Sequence, residues 1–248
     1  MSGKPLKIGI AHFTGCSGCQ LMLLNCEAEL ALLAERVVCL DASMLTSTRN
    51  ERERFDLLLV EGSISSPAEQ ARLRELRERC QLLVAMGACA LTGGINHFTS
   101  PARPAACTQV YGPVAERVET FPPQPVEAFV AVDARIPGCP PERHDFLDLF
   151  GALACGGQPA IRDIPVCMEC RSREIRCLLE VDQLPCFGPV TIGGCNARCP
   201  SCGVPCEGCR GEVPEANRDE LFRLLQEAKL SEAEIRSRSG RFSGGKHD

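Results

Sequence analysis

Eighteen of the 248 residues are cysteine, nine of them in the first 166 residues and nine packed between Cys167 and Cys209. A chain of this length can bury a full hydrophobic core without crosslinks. Thiols at this density therefore point to metal or redox chemistry before they point to disulfides. Cys16 and Cys19 lie in TGCSGC, a glycine-rich turn without the lysine and hydroxyl of a nucleotide loop and too short for a dinucleotide fingerprint. Glycines beside thiols let the backbone approach closely and donate N–H groups, which an anionic iron–sulfur cluster requires. Cys89 in GACALTGG and Cys139 in PGCPP are single thiols in permissive or rigid backbone. The later set comprises Cys167, Cys170, Cys177, Cys186, Cys195, Cys199, Cys202, Cys206 and Cys209. This stretch has too few apolar residues to fold unaided, so a metal must organise it. Two tetrahedral zinc sites and two cubane clusters would each use eight thiolates. Spacing does not separate them, although histidine, common in zinc sites, is missing from the segment.

The elements that must position these thiols alternate between strand and helix. Lys7 to Phe13 reads as a strand, Leu21 to Glu35 as a helix and Val37 to Asp41 as a second strand. DLLLV (Asp56 to Val60) and QLLVAM (Gln81 to Met86) are continuous apolar runs, the mark of strands covered on both faces. Between them Pro67 opens a charged helix over Ala68 to Arg79, with Leu73 and Leu76 on one side. Pro101 to Pro125 reads as irregular, and Ala128 to Val132 and Ala134 to Ile136 as strands completing a parallel sheet. In such a sheet chemistry sits beyond the carboxyl ends of the strands. Cys16, Cys19, Cys89 and Cys139 each follow a strand, so they are expected to converge on one edge. Pro214 to Lys229 and Ser231 to Arg238 read as amphipathic helices, the second opened by a Ser231–Glu234 capping box.

Composition narrows the function classes. A net charge of -5, one tyrosine and no tryptophan give no nucleic-acid footprint. No run approaches the apolar length of a spanning helix, and Met1 to Phe13 lacks a signal-peptide pattern. The chain is expected in the cytosol, bound to neither nucleic acid nor membrane. No nucleophile elbow or Walker motif is present. His12, His97, His144 and His247 stand apart in sequence and read as structural or surface residues, so no catalytic residue is assigned. Cys39 and Cys80, which flank apolar strands, read as small buried side chains.

TGCSGC, EGS (Glu61 to Ser63), GACALTGG, PGCPP, the C-x8-C from Cys186 to Cys195 and PCEGC (Pro205 to Cys209) together resemble the small subunit of NiFe hydrogenases. VCMECRSREIRC, PCFGPVTIGGCNARCPSCGVPCEGCRG and GCPPERHDFL are similar, more narrowly, to the delta subunit of cytosolic sulfhydrogenases, which are NAD(P)-linked and built from four subunit types. The resemblance runs from about Lys7 to Gly211.

It implies an α/β fold: a flavodoxin-like parallel-sheet domain over residues 1–156, then a mostly irregular and helical iron–sulfur domain over 157–248. It also implies three 4Fe-4S clusters. Cys16, Cys19, Cys89 and Cys139 match the ligands of a proximal cluster, Cys195, Cys199, Cys206 and Cys209 those of a medial cluster, and Cys167, Cys170, Cys177 and Cys186 those of a distal cluster. Periplasmic hydrogenases carry a histidine at the position of Cys167. Cys202 sits among the medial ligands and competes with Cys199, to which the resemblance gives the place. Cys26, Cys39, Cys80, Cys107 and Cys155 are left without a ligand role. The implied partners are a large (alpha) subunit holding the NiFe centre, a gamma subunit binding FAD and NAD(P), and an iron–sulfur beta subunit. Electrons from H2 would pass through this chain to NAD(P), with sulfur or polysulfide reduction as a further outlet. Three alternatives differ in class: a methanogen-type hydrogenase subunit linked to a disulfide reductase, a single-cluster quinone-reductase subunit of the respiratory complex I type, and a zinc-binding interaction protein.

Overall fold

The computed structural model describes residues 5–33, 37–42, 53–98, 103–155, 157 and 163–242. Its strands are β1 (Leu6–His12), β2 (Val37–Ala42), β3 (Phe55–Glu61), β4 (Cys80–Met86) and β5 (Ala134–Ile136). They form one sheet in the order β2-β1-β3-β4-β5, every pair parallel. This is the flavodoxin-like order, whose switch point lies between β1 and β3.

Helices α1 (Gly18–Leu24), α2 (Glu27–Leu33), α3 (Pro67–Glu78), α4 (Gly87–Thr92), α5 (Gly94–Phe98), α6 (Arg103–Tyr111) and α7 (Arg143–Ala154) accompany the sheet. Alternate residues of β3 point to opposite faces. Leu57 and Leu59 join Leu23, Phe146 and Leu149 in one core, while Leu58 and Val60 join Leu73 and Leu76 of α3 in the other. The start of α3 is set locally: Pro67 takes the first turn, and Ser66 Oγ accepts the Glu69 N–H at 3.3 Å.

Four local expectations change. The helix expected over Leu21 to Glu35 breaks at Asn25 and Cys26, because the Cys26 side chain is buried under α7 with its Sγ near Met22 O and Arg143 O; Glu35 itself lies outside the described residues. The span from Pro101 to Pro125 is not all irregular, since Pro104 falls in the first turn of α6, where a missing N–H is tolerated. Ala128 to Val132 is not a strand: the N–H groups of Phe129 and Val130 both turn back onto Val126 O, and Val126 is fully buried. Cys39 is exposed, not buried, because β2 is an edge strand. Cys80 is buried as expected.

Beyond the sheet, residues 163–242 contain α8 (Val166–Ser172), α9 (Arg198–Ser201), α10 (Arg218–Glu227) and α11 (Glu232–Ser239), separated by irregular backbone. The core under α8 is small and half cysteine: Val166, Cys186, Ala197 and Cys206. The tail helices pack Leu221, Leu225 and Ile235 onto Phe187 and Val190, and α11 carries the Ser231–Glu234 capping box. The tail reaches back to the sheet region, where Thr92 Oγ1 donates to Phe242 O at 2.6 Å and Arg241 pairs with Glu207. The two parts of the chain are also joined by a buried ion pair, Arg210–Asp145. The boundary expected at Gly156 falls on a residue outside those described.

Candidate functional site

Cys16 and Cys19 follow β1, Cys89 lies in α4 directly after β4, and Cys139 follows β5, so all four stand at the carboxyl edge of the sheet. Cys89 was expected in a loop and instead sits on a short helix. The approach of α4 to the first turn depends on Gly87: at φ 84° its backbone is left-handed, and a Cβ there would lie 2.3 Å from Cys19 Sγ. Cys19 is buried, Cys89 half-buried, and Cys16 and Cys139 open to the surface. Burial, then the charges of Glu61, Cys89, Cys139 and Cys16, pushes the Cys19 thiol well above its ordinary range. Burial and then Cys139, Cys16 and Glu61 push Cys89 up to about 12. Cys139 is raised by burial and by Cys16. Four thiolates here would repel one another, a repulsion that protonation or a bound cationic guest relieves.

Side chains that sequence spacing did not assign a role surround this set. Asn96 Nδ2 lies within donating reach of Thr14 O (3.1 Å), Ser63 Oγ (3.2 Å) and Cys89 Sγ (3.5 Å). Glu61, at the end of β3, is 2% exposed. Its Oε1 accepts the Cys19 N–H at 3.3 Å, His12 Nδ1 is 3.8 Å from Oε2, and that buried oxygen accepts no hydrogen bond among the described residues. The position of Glu61 in EGS at a strand's carboxyl end was the available signal.

A second quartet centres on α8. Cys167 and Cys170 share one face of this helix, Cys177 follows on an exposed turn, and Cys186 is buried. All four line a cavity of about 120 Å³, closed by Ile175, Leu178, Leu179, Pro189 and Pro200 and flanked by Arg171 and Arg176. Cys167 Sγ and Cys186 Sγ converge beside Gly188, 3.4 and 3.5 Å from where a Cβ would stand. Two sulfurs already receive backbone N–H groups: Cys186 from Cys206 at 3.3 Å, and Cys177 from Glu180 at 3.4 Å. Burial first, then Cys186, Cys170 and Cys177, raises the Cys167 thiol to about 12.

Cys195, Cys199, Cys206 and Cys209 form a third group, Cys199 lying on α9. Burial raises Cys206, as do the charges of Cys186 and Cys209. Burial lifts Cys209 to about 11 despite the lowering effect of the Cys139 backbone, with Cys195, Cys199 and Cys139 adding to the rise. Cys199 thus lies close to Cys209 and, by its effect on that thiol, to Cys186. Cys202 lines an open cleft with Arg143, Arg173 and Arg198.

These contacts set an order. Cys139 lies close enough to Cys209 to act on its thiol, bringing the first group beside the third, and the Cys206 N–H reaches Cys186 Sγ, joining the third to the second. Among the described residues no three Cys, His, Asp or Glu side chains are grouped tightly enough to hold one metal ion. The thiols instead surround space, as the lined cavity shows, and an all-sulfur donor set around a cavity fits a polynuclear iron–sulfur cluster. His97 and His144 are structural: His97 Nδ1 meets Pro123 O at 3.0 Å, and His144 Nε2 meets Gly194 O. His247 lies outside the described residues.

Residues 16–153 match the family described as NADH ubiquinone oxidoreductase, 20 Kd subunit. The chain belongs to this family and, within it, to the small subunits of NiFe hydrogenases. It is similar to sulfhydrogenase 2 subunit delta of Pyrococcus furiosus, 38% identical over 222 residues covering 90% of this chain and 93% of that protein. A vhu subunit of the F420-non-reducing hydrogenase of Methanocaldococcus jannaschii is 30% identical, with 85% of this chain and 83% of that protein covered. A chain of an NAD+-reducing NiFe-hydrogenase solved in its H2-reduced state superposes with a TM-score of 0.58 at 26% identity, over 63% of this chain and 95% of its own. Among the described residues no helix is long and apolar enough to cross a membrane.

Proposed function

We propose that this chain is the electron-transfer small (delta) subunit of a cytosolic, heteromeric NAD(P)-linked NiFe hydrogenase, with residues 1–156 and 157–248 as its two domains. Cys16, Cys19, Cys89 and Cys139 would hold a proximal 4Fe-4S cluster, Cys195, Cys199, Cys206 and Cys209 a medial one, and Cys167, Cys170, Cys177 and Cys186 a distal one. When bound, each cluster supplies a one-electron carrier. The carrying observation is the serial placement of the three thiol groups, with Cys139 beside Cys209 and the Cys206 N–H on Cys186 Sγ at 3.3 Å. The protein's own part is to neutralise and orient sulfur with backbone N–H groups and to exclude water with Leu178, Leu179 and Pro189.

The large subunit's NiFe site would split H2 into two protons and two electrons, and a flavin (FAD) gamma subunit with an iron–sulfur beta subunit would deliver both electrons to NAD(P)+. The proximal edge supports a partner there: Cys16 and Cys139 are exposed, and Leu21 of α1 and Ile95 of α5 are large apolar side chains about half exposed. Free thiols at this density fit a reducing compartment. A second reading is delivery to a disulfide reductase in place of NAD(P); the similarity to a subunit of an F420-non-reducing hydrogenase of Methanocaldococcus jannaschii supports only that the acceptor can differ between related complexes.

Anaerobic iron and sulfide analysis with a reductive EPR titration tests the site assignment. About twelve iron atoms per chain and three one-electron signals are expected. About four iron atoms, or stoichiometric zinc, would overturn it.

A further inference from the structure

Glu169 stands between Cys167 and Cys170 on α8, yet its side chain does not serve that helix. Its carboxylate, in a residue 7% exposed, crosses to the turn that carries Cys195. Oε1 accepts the Gly194 N–H at 2.7 Å, Oε2 accepts the Ala197 N–H at 2.9 Å, and Cys195 Sγ lies 3.8 Å from Oε2. The turn is one that a chain does not adopt freely. Gly194 (φ 110°), Asn196 (φ 55°) and Ala197 (φ 49°) are all left-handed, and two of the three carry a Cβ. Ala197 is fully buried, so its N–H has no recourse to water. The opposite side of the same turn is tied to α7: Arg210 Nε donates to Gly193 O at 2.9 Å while its guanidinium grips Asp145, and His144 meets Gly194 O. A side chain at 194 would strike Arg210 Nη2 at 2.5 Å, so the turn has no room to slide that way.

We propose that Glu169 is a positioning residue for the medial site: rooted between two ligands of the distal cluster, its carboxylate fixes the backbone of a medial ligand and places a negative charge beside that ligand's sulfur. This rests on the three-cluster reading above. The consequence is that medial geometry and potential are referenced to the distal helix. A fixed anion near a cluster thiolate disfavours the reduced, more negative state.

The test uses the isolated hydrogenase complex carrying wild-type chain, Glu169→Gln and Glu169→Asp, read by iron content and an EPR redox titration of each cluster. Glu169→Gln keeps the shape but loses the charge and one acceptor. The expected result is a medial midpoint potential shifted to more positive values, a smaller shift in the same direction at the distal cluster, whose proposed ligand Cys170 also feels the Glu169 charge, and an unchanged proximal potential. Glu169→Asp retains the charge and is expected to shift the medial potential less. Should Glu169→Gln fail to load fully, the missing iron is expected to be the medial third, with the distal signal intact. Unchanged medial potential and signal in Glu169→Gln, or loss confined to the distal signal, would overturn the inference while leaving the three-cluster reading standing. Wild-type complex without a medial signal would overturn both together.

Discussion

The four thiols at the sheet edge and the eight proposed as ligands among the nine in the C-terminal segment are held by different means. Cys16, Cys19, Cys89 and Cys139 hang from the ends of β1, β4 and β5, and the cores that fix those strands are built mainly from leucine, valine, isoleucine, phenylalanine and alanine, with Cys19 the one of the four thiols among their buried residues. In the C-terminal segment the core itself is half cysteine, with Cys186 and Cys206 beside Val166 and Ala197. On the proposed assignment the first site's strands are fixed by large apolar cores that include one ligand, Cys19, whereas in the second region two ligands make half of a four-residue core, so there binding and folding would be one process.

The largest effect that distinguishes the two regions is metal removal. Anaerobic chelation, followed by hydrogen-exchange mass spectrometry, is expected to abolish slow amide exchange across Val166 to Cys209 while β1, β3 and β4 keep theirs; equal loss in both regions would erase the contrast. Next comes Asp145→Asn. Arg210 has a side chain only 4% exposed, and losing its bidentate partner strands a buried cation, a destabilisation of about 3–5 kcal/mol. Denaturant unfolding of the complex measures it, and the transition of the C-terminal region should move first. Gly87→Ala acts on the sheet edge alone: left-handed backbone and the 2.3 Å approach to Cys19 Sγ predict strain of about 1–3 kcal/mol. Iron content should fall by roughly the four atoms of one cluster, with the signals of the other eight thiols retained. The smallest effect is expected from Cys202→Ser, which should leave iron content and all spectra as in wild type; loss of the medial signal in Cys202→Ser, with Cys199→Ser unaffected, would exchange the two assignments.

The sheet was legible because short apolar runs such as DLLLV, too short for a buried helix, read as strands covered on both sides, and parallel topology then sends the residues after them to one edge. Strand order is not written locally, so Cys39 could not be known to lie on edge strand β2 and be exposed. Prolines misled over Pro101 to Pro125, because Pro104 sits where a helix accepts it. In the C-terminal segment the density of cysteines was plain and the resemblance to hydrogenase small subunits sorted them into proposed clusters, but the residues that hold their backbone did not show. Glu169 reads as a spacer inside C-x2-C until its carboxylate is seen on Gly194 and Ala197. Asp145 and Arg210 meet across 65 residues and share no motif. Long-range polar pairing has no period, so only the folded chain reveals it.

The tie between the tail and the first domain also orders events in time. Thr92, three residues after Cys89, is capped by the carbonyl of Phe242, and Glu207, between Cys206 and Cys209, is gripped by Arg241. During synthesis these fastenings cannot form until the ribosome has passed residue 242, long after every ligand thiol has emerged. The growing chain therefore has all twelve proposed ligand thiols in hand before either of these two contacts can form.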